Sequence, residues 1–168
     1  KTGTLTEARI LLERHVDGHG RDSSRVLELA YLNSFFESGL RSPLDDAILG
    51  HREIEITEWR KIDEVPFDFE RRRVSVVVDN GQSRLLVVKG APEDILRLST
   101  HCEEDGAEDL RPFDAAARAR VQSLCDSLGG DGFRVLGIAW KRVGPEHDHA
   151  VVTDETELVF AGFAAFFD

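Results

Sequence analysis

The sequence predicts an α+β fold: a central, twisted, mainly antiparallel β-sheet flanked by helices. Residues 74–78 and 85–88 are short runs rich in Val and Leu, and Asp79-Asn80-Gly81 between them has the chemistry of a hairpin turn. Val26, Leu27, Leu29, Ala30, Leu32 and Phe36 recur at helical spacing in a separate segment. The chain's 168 residues suit one domain with a single sizeable core. Tight turns favour antiparallel pairing, and helices set apart from the hairpins must cover the faces of the sheet.

Taken in order, residues 8–16 read as a strand. Asp22-Ser23-Ser24 caps the helix that carries the six apolar positions above, and Gly39 stops it. Ser42 followed by Pro43 is a cap and first-turn pair for a short helix through Leu49. From 54 to 89 the pattern turns to strands, at 62–67, 74–78 and 85–88. Pro92 opens a helix through Leu98, and 114–128 forms a longer one ended by Gly129-Gly130. Residues 133–141 and 158–163 close the domain as strands, with a polar loop at 144–153 between them.

Composition narrows the function classes. Lys and Arg number 21 against 32 Asp and Glu, and the net charge of −11 argues against nucleic acid as a partner and against direct membrane contact. No apolar stretch approaches the roughly 18 residues of a membrane helix. Glu7, Arg9 and Glu13 interrupt the first apolar residues, so no signal-peptide pattern is present. Cys102 and Cys125 are too few and too far apart for zinc and are expected as reduced thiols. His147 and His149 flank Asp148 in a polar loop, and Glu103-Glu104-Asp105 with Glu108 and Asp109 form an acidic run. Both are expected to be solvated, and no metal site is expected. The isolated domain is expected to be a monomer.

Three constellations carry chemistry. Lys1-Thr2-Gly3-Thr4-Leu5-Thr6 offers hydroxyls and exposed backbone N–H groups, which suit phosphate and Mg²⁺ contacts. Pro66-Phe67-Asp68-Phe69-Glu70-Arg71-Arg72-Arg73 sets aromatic faces beside a positive patch, as a purine with a phosphate tail requires. Strand alternation puts Arg72 on one face with Val74, Val76 and Val78, and Arg71 and Arg73 on the other with Ser75. Alternation does not separate Phe67 from Phe69. In Val87-Val88-Lys89-Gly90-Ala91-Pro92-Glu93 a lysine ends an apolar strand, so its ammonium reaches the floor of a pocket, and Gly90 and Ala91 leave room for a ligand ring.

These strings resemble the nucleotide-binding (N) domain of P-type cation-transporting ATPases. The first matches the six residues that follow the phosphorylated aspartate of that family, and the third matches its Lys-Gly-Ala-Pro-Glu motif without a departure. The resemblance implies ATP as ligand, with Mg²⁺ accompanying it in the full-length protein. It implies stacking of adenine on Phe67, with Phe69 as rival, Lys89 and Gly90 lining the adenine site, and Arg72 and Arg134 approaching the phosphates. Thr2 belongs to the phosphate-contacting motif. Asp45 matches the acidic residue that accepts from the adenine amino group, with Asp46 as the other register. Because the family's nucleophilic aspartate would precede Lys1, this chain is expected to bind ATP without hydrolysing it, and the absence of methionine fits an excised segment.

By the same resemblance, residues 1–168 form one domain. Residues 1–6 and 164–168 are hinges to a phosphorylation domain, and that domain and an actuator domain are partners within one polypeptide. The implied location is the cytoplasmic side of an inner or plasma membrane protein. Residues 63–73 with Tyr31-Leu32-Asn33-Ser34 look like bacterial magnesium-transporting members. Two other readings stay open: a fragment of a haloacid-dehalogenase-type phosphatase, which predicts a parallel sheet, and a non-catalytic interaction domain of the same fold, which predicts that Lys89 and Arg134 lie apart.

Overall fold

A computed structural model describes residues 9–168. Thr2 and the rest of the motif at 1–6 lie outside the described residues. The elements run β1 (Leu11–Asp17), α1 (Ser24–Phe36), α2 (Pro43–His51), β2 (Arg60–Asp68), β3 (Arg73–Asp79), β4 (Arg84–Gly90), α3 (Pro92–Leu98), β5 (Ser99–Glu103), β6 (Leu110–Pro112), α4 (Ala115–Gly130), β7 (Arg134–Val143) and β8 (Leu158–Phe167), with a 3-10 turn at Val152–Asp154.

One eight-stranded sheet runs in the order β2-β3-β4-β7-β8-β5-β6. One edge of β8 pairs with β7, and the other is shared. β5 lies parallel to its first residues and β1 antiparallel to its second half. The β5–β8 pair is the one parallel ladder among the described residues, so the mainly antiparallel expectation holds.

The alternation along β3 explains the layering. Val76 and Val78 face α1 and α2, packing with Leu27, Leu32 and Ile48. Val77 faces the opposite layer, with Ile95 of α3 and Val121 of α4. Local chemistry sets the ends of these helices. Ser23 Oγ accepts from Val26 N at the start of α1, and Asp114 Oδ1 accepts from Ala117 N at the start of α4. Ser42 and Asp45 form a reciprocal capping box at α2, with Pro43 in its first turn.

Three details depart from the sequence expectation. β5 and β6 fall in stretches where no strand is expected, the acidic run at 103–109 among them, and neither is long or alternating enough to show by pattern. Arg72 is not a strand residue: it stands at φ 54°, in the left-handed region, in the turn before β3. Glu103 is not solvated, because it is buried and accepts hydrogen bonds from Arg25 Nε and Trp140 Nε1, both at 2.6 Å. The polar loop at 144–153 is present and mostly exposed, as expected, and side chains anchor it: His147 Nε2 lies 2.9 Å from Asp154 Oδ2, and Arg84 Nη1 donates to His147 O and to Asp148 Oδ1. Both cysteines are free thiols, as expected.

Candidate functional site

A cavity of about 780 Å³ opens where four connections meet: the α1–α2 loop, the β2–β3 turn, the β4–α3 junction and the start of β7. Its volume falls within the range of small-molecule sites. The wall is largely apolar, with Leu40, Pro43, Leu44, Phe67, Phe69 and Val74 among the lining side chains. Polar groups converge at the floor.

The floor is a buried network around Lys89. Register sets Lys89 opposite Val74 on β3 and Ile138 on β7, in the middle of the sheet. Its Nζ donates to Asp45 Oδ1 at 2.7 Å, Asn33 Oδ1 at 2.8 Å and Glu37 Oε2 at 3.3 Å. Asn33, from α1, donates through Nδ2 to the carbonyls of Val74 and Val87, at 3.0 and 2.9 Å, tying the helix to the β3–β4 hairpin. Asp45 takes two donors on each oxygen: Ser34 Oγ and Lys89 Nζ on Oδ1, and the backbone N–H and Oγ of Ser42 on Oδ2. Burial pushes the Asp45 carboxyl upward, but Lys89, Ser42 and Ser34 together outweigh it and hold the group below its usual range. At Glu37 burial prevails over the attraction of Lys89, and the carboxyl is raised.

The residues singled out in the sequence distribute as follows. Phe67, Arg72, Lys89, Gly90 and Asp45 all line this cavity. Phe67 and Phe69 meet edge to face, with centroids 5.4 Å apart; Phe67 is half-exposed at 46% and Phe69 nearly free at 87%. Arg72 stands at the rim and is held by Glu93 at 2.8 Å and Asp94 at 3.2 Å. Arg71 and Arg73 turn to the other face, though only Arg73 is a strand residue and Arg71 gets there from the turn. There they share the fully buried Glu155, which also accepts from the Ser75 hydroxyl. Gly90 is required by the sheet: a Cβ there would lie 2.4 Å from Arg73 Cβ and 2.6 Å from the Arg72 carbonyl, on the β3 side. Arg134 is not among the lining residues. It begins β7, beyond the last β4 pair at Gly137, and lies exposed 3.9 Å from Asp168, while Val135 and Leu136 face the cavity.

A family model described as P-type ATPase, cytoplasmic domain N, matches residues 22–168. The chain belongs to this family. Among curated proteins it is similar to the magnesium-transporting ATPase, P-type 1, of Escherichia coli K12, at 40% identity over 174 residues. That match covers 100% of this chain and 19% of that protein. The protein of the same name from Salmonella typhimurium is 41% identical over the same coverage. A calcium-transporting ATPase of Bacillus subtilis is 25% identical over 118 residues, 70% of this chain and 13% of that protein. The chain thus spans about a fifth of the length of its magnesium-transporting relatives.

Sequence reasoning missed three site residues of this N domain. Asn33 and Ser34 interrupt the buried, mostly apolar stretch of α1, and two adjacent polar residues in such a stretch were the available signal. Glu37, just past the end of α1, carried no signal beyond its charge. Among the described residues no helix is long and apolar enough to cross a membrane.

Proposed function

We propose that this N domain binds the adenosine part of ATP and delivers the γ-phosphate to an aspartate on a separate phosphorylation domain of the same polypeptide, in a pump that transports Mg²⁺. The observation that carries this is the convergence of the Phe67 ring, from the edge strand β2, and the Lys89 ammonium, from the middle of the sheet, on one cavity. The apolar wall suits a base and sugar better than a free polyphosphate. The cations Arg41, Arg72 and Lys89 are matched there by Glu37, Asp45 and Glu93, so the cavity is not a general anion trap. The phosphates, with their Mg²⁺, then leave past Arg72 toward solvent and the partner domain. The magnesium assignment is supported by the full-chain similarity to magnesium-transporting ATPases.

Phe67 is the better stacking platform because β2 anchors it, whereas Phe69 stands in the turn beyond the strand. Stacking contributes about 1–3 kcal/mol. Arg72 is half-exposed and already paired, so its phosphate contact adds about 0–1 kcal/mol. Against the cost of association, binding by this chain falls near the millimolar range, about −4 kcal/mol. The pairing of Leu11 with Phe167 brings the described chain in and out of the sheet at one place, as insertion into another domain requires.

An NMR titration with ATP tests the site. The Phe67 and Lys89 signals should shift at millimolar ATP, and Phe67→Ala should weaken binding about fivefold or more while Phe69→Ala weakens it less. The reverse ordering moves the base to Phe69. No shift in either residue at several millimolar ATP ends the nucleotide reading.

A further inference from the structure

We propose that Glu155, across the sheet from the cavity, is a positioning residue for the nucleotide: it sets the β2–β3 turn so that Phe67 and Arg72 stand over the ligand. This role rests on the nucleotide reading above and concerns a residue that touches no part of the ligand.

Glu155 is fully buried and follows the 3-10 turn in the connection from β7 to β8. That connection is itself held in place. Ala150 N donates to Asp63 Oδ2 on β2 at 2.7 Å, Val151 N to Asp154 Oδ2 at 3.0 Å, and Glu155 N to Val152 O at 3.0 Å. The Glu155 carboxylate takes two donors on each oxygen. Arg71 Nε at 3.1 Å and Arg73 Nε at 3.0 Å share Oε1, while Arg71 Nη2 at 2.9 Å and the Ser75 hydroxyl share Oε2. Its acceptor sites are filled from within the protein, so the group acts on its neighbours and not on a ligand.

Two consequences reach the cavity. Arg71 uses both oxygens of Glu155 and turns Nη1 to the Pro66 carbonyl at 2.9 Å, which ties the residue before Phe67 to the buried anion. Arg71 and Arg73 also bond each other's carbonyls, at 3.2 and 3.1 Å. With both its neighbours clamped away from the cavity, Arg72 is the one arginine of the three that lines it, and its backbone takes the left-handed φ of 54°. The Arg72 N–H donates to Asp68 O at 2.8 Å, and its carbonyl accepts from Ala91 N at 3.1 Å, so the turn is closed against the start of α3. A buried ion cluster often adds no more stability than apolar side chains of similar size. What the directional, forked bonds of Arg71 add is one fixed conformation of the turn.

The experiment is an NMR titration of the 168-residue chain with ATP, in a double-mutant cycle of Glu155→Gln and Phe67→Ala. Glutamine keeps the size of the side chain, but its NH₂ group faces donors in either orientation. Arg71 then loses one of its two bonds, because it uses both oxygens. Amide spectra establish that each variant is folded before ATP is added. Glu155→Gln should weaken ATP binding about fivefold, the lower end of what losing the stacking ring costs. In the Phe67→Ala background the same change should add no more than about twofold, since the ring it aligns is gone. Arg71→Met leaves Glu155 its Arg73 and Ser75 donors; it serves if the Gln variant fails to fold, and should follow the same pattern.

Parent-like ATP affinity in the folded Glu155→Gln chain, or in Arg71→Met where that variant stands in, overturns the assignment. So does a loss that recurs undiminished in the Phe67→Ala background, the mark of a general weakening of the fold. Both results leave ATP binding by the unaltered chain intact. An unaltered chain that binds no ATP removes the nucleotide reading and this role with it.

Discussion

Lys89→Met tests whether the network under the cavity is a buried ion cluster. Methionine keeps the stem of the side chain and deletes only the ammonium. The deletion removes three hydrogen bonds, to Asn33, Asp45 and Glu37, and leaves two buried carboxylates without their cation. Removing one partner of a buried charge pair costs about 3–5 kcal/mol. The lower end applies here, because Asp45 keeps its Ser34 and Ser42 donors and Glu37 is held at only 3.3 Å.

A loss of about 3 kcal/mol corresponds to a fall in Tm of roughly 6–12 °C for a domain of this size. Urea denaturation and thermal melts at neutral pH measure it directly. Acidification supplies a signature that mere loss of packing would not give. Without the ammonium both carboxyls lose the charge that pulls them down, so each moves up relative to the parent, and Glu37, already above its ordinary range, moves further above it. A carboxyl whose folded pKa exceeds its unfolded one binds protons more tightly when folded, so the variant gains stability as pH falls through the folded value. The gap to the parent should therefore narrow on acidification. A loss under about 1 kcal/mol, or a gap that widens toward low pH, would refute the buried cluster.

Three other outcomes are expected. Gly162→Ala would place a Cβ 2.0 Å from the Val16 carbonyl and 2.7 Å from a Val26 methyl, so β1 must shift; the cost is about 1–3 kcal/mol or more, visible in denaturation and as faster amide exchange in β1, and parent-like stability would count against the β1–β8 register. Glu155→Ala should cost about 3 kcal/mol, since it strands Arg71 and Arg73, and it should broaden the Phe67 and Phe69 signals, because Arg71 Nη1 also donates to the Pro66 carbonyl at 2.9 Å and so ties the end of β2, with Phe67, to the turn that carries Phe69. In a ¹³C titration of the unaltered chain Asp45 should ionise below the usual aspartate range and Glu37 above the usual glutamate range: Asp45's contribution to stability is lost as pH falls through its folded value, whereas Glu37 has the opposite sign, and coincident titrations would contradict both.

The legible parts of the fold were those written in local chemistry. Ser23, Ser42-Pro43 and Asp114 announced three helix starts, and Asp79-Asn80-Gly81 announced the β3–β4 hairpin. β5 and β6 were not legible, because a five-residue and a three-residue strand gain their identity from the neighbour they pair with. The same division holds in the site. Phe67 and Lys89 stood out because an aromatic beside arginines and a lysine ending an apolar strand are unusual locally. Glu37 and Asn33 act through distant partners on β3 and β4, and Glu103 looks like part of an acidic loop until Arg25 and Trp140 arrive from elsewhere in the chain. Arg134 shows the converse, a residue suggested by its position in a motif but standing outside the cavity wall.

The antiparallel ladder that sets Leu11 beside Phe167 has a mechanical meaning. A load pulling on the chain at both of those points would peel β1 off β8 one rung at a time, the weakest way to stress a ladder, instead of shearing all the rungs together. The centre of the sheet, where Lys89 and its partners sit, would be shielded from that load. A swinging domain joined to its body at this corner would flex at the seam and keep its pocket undistorted.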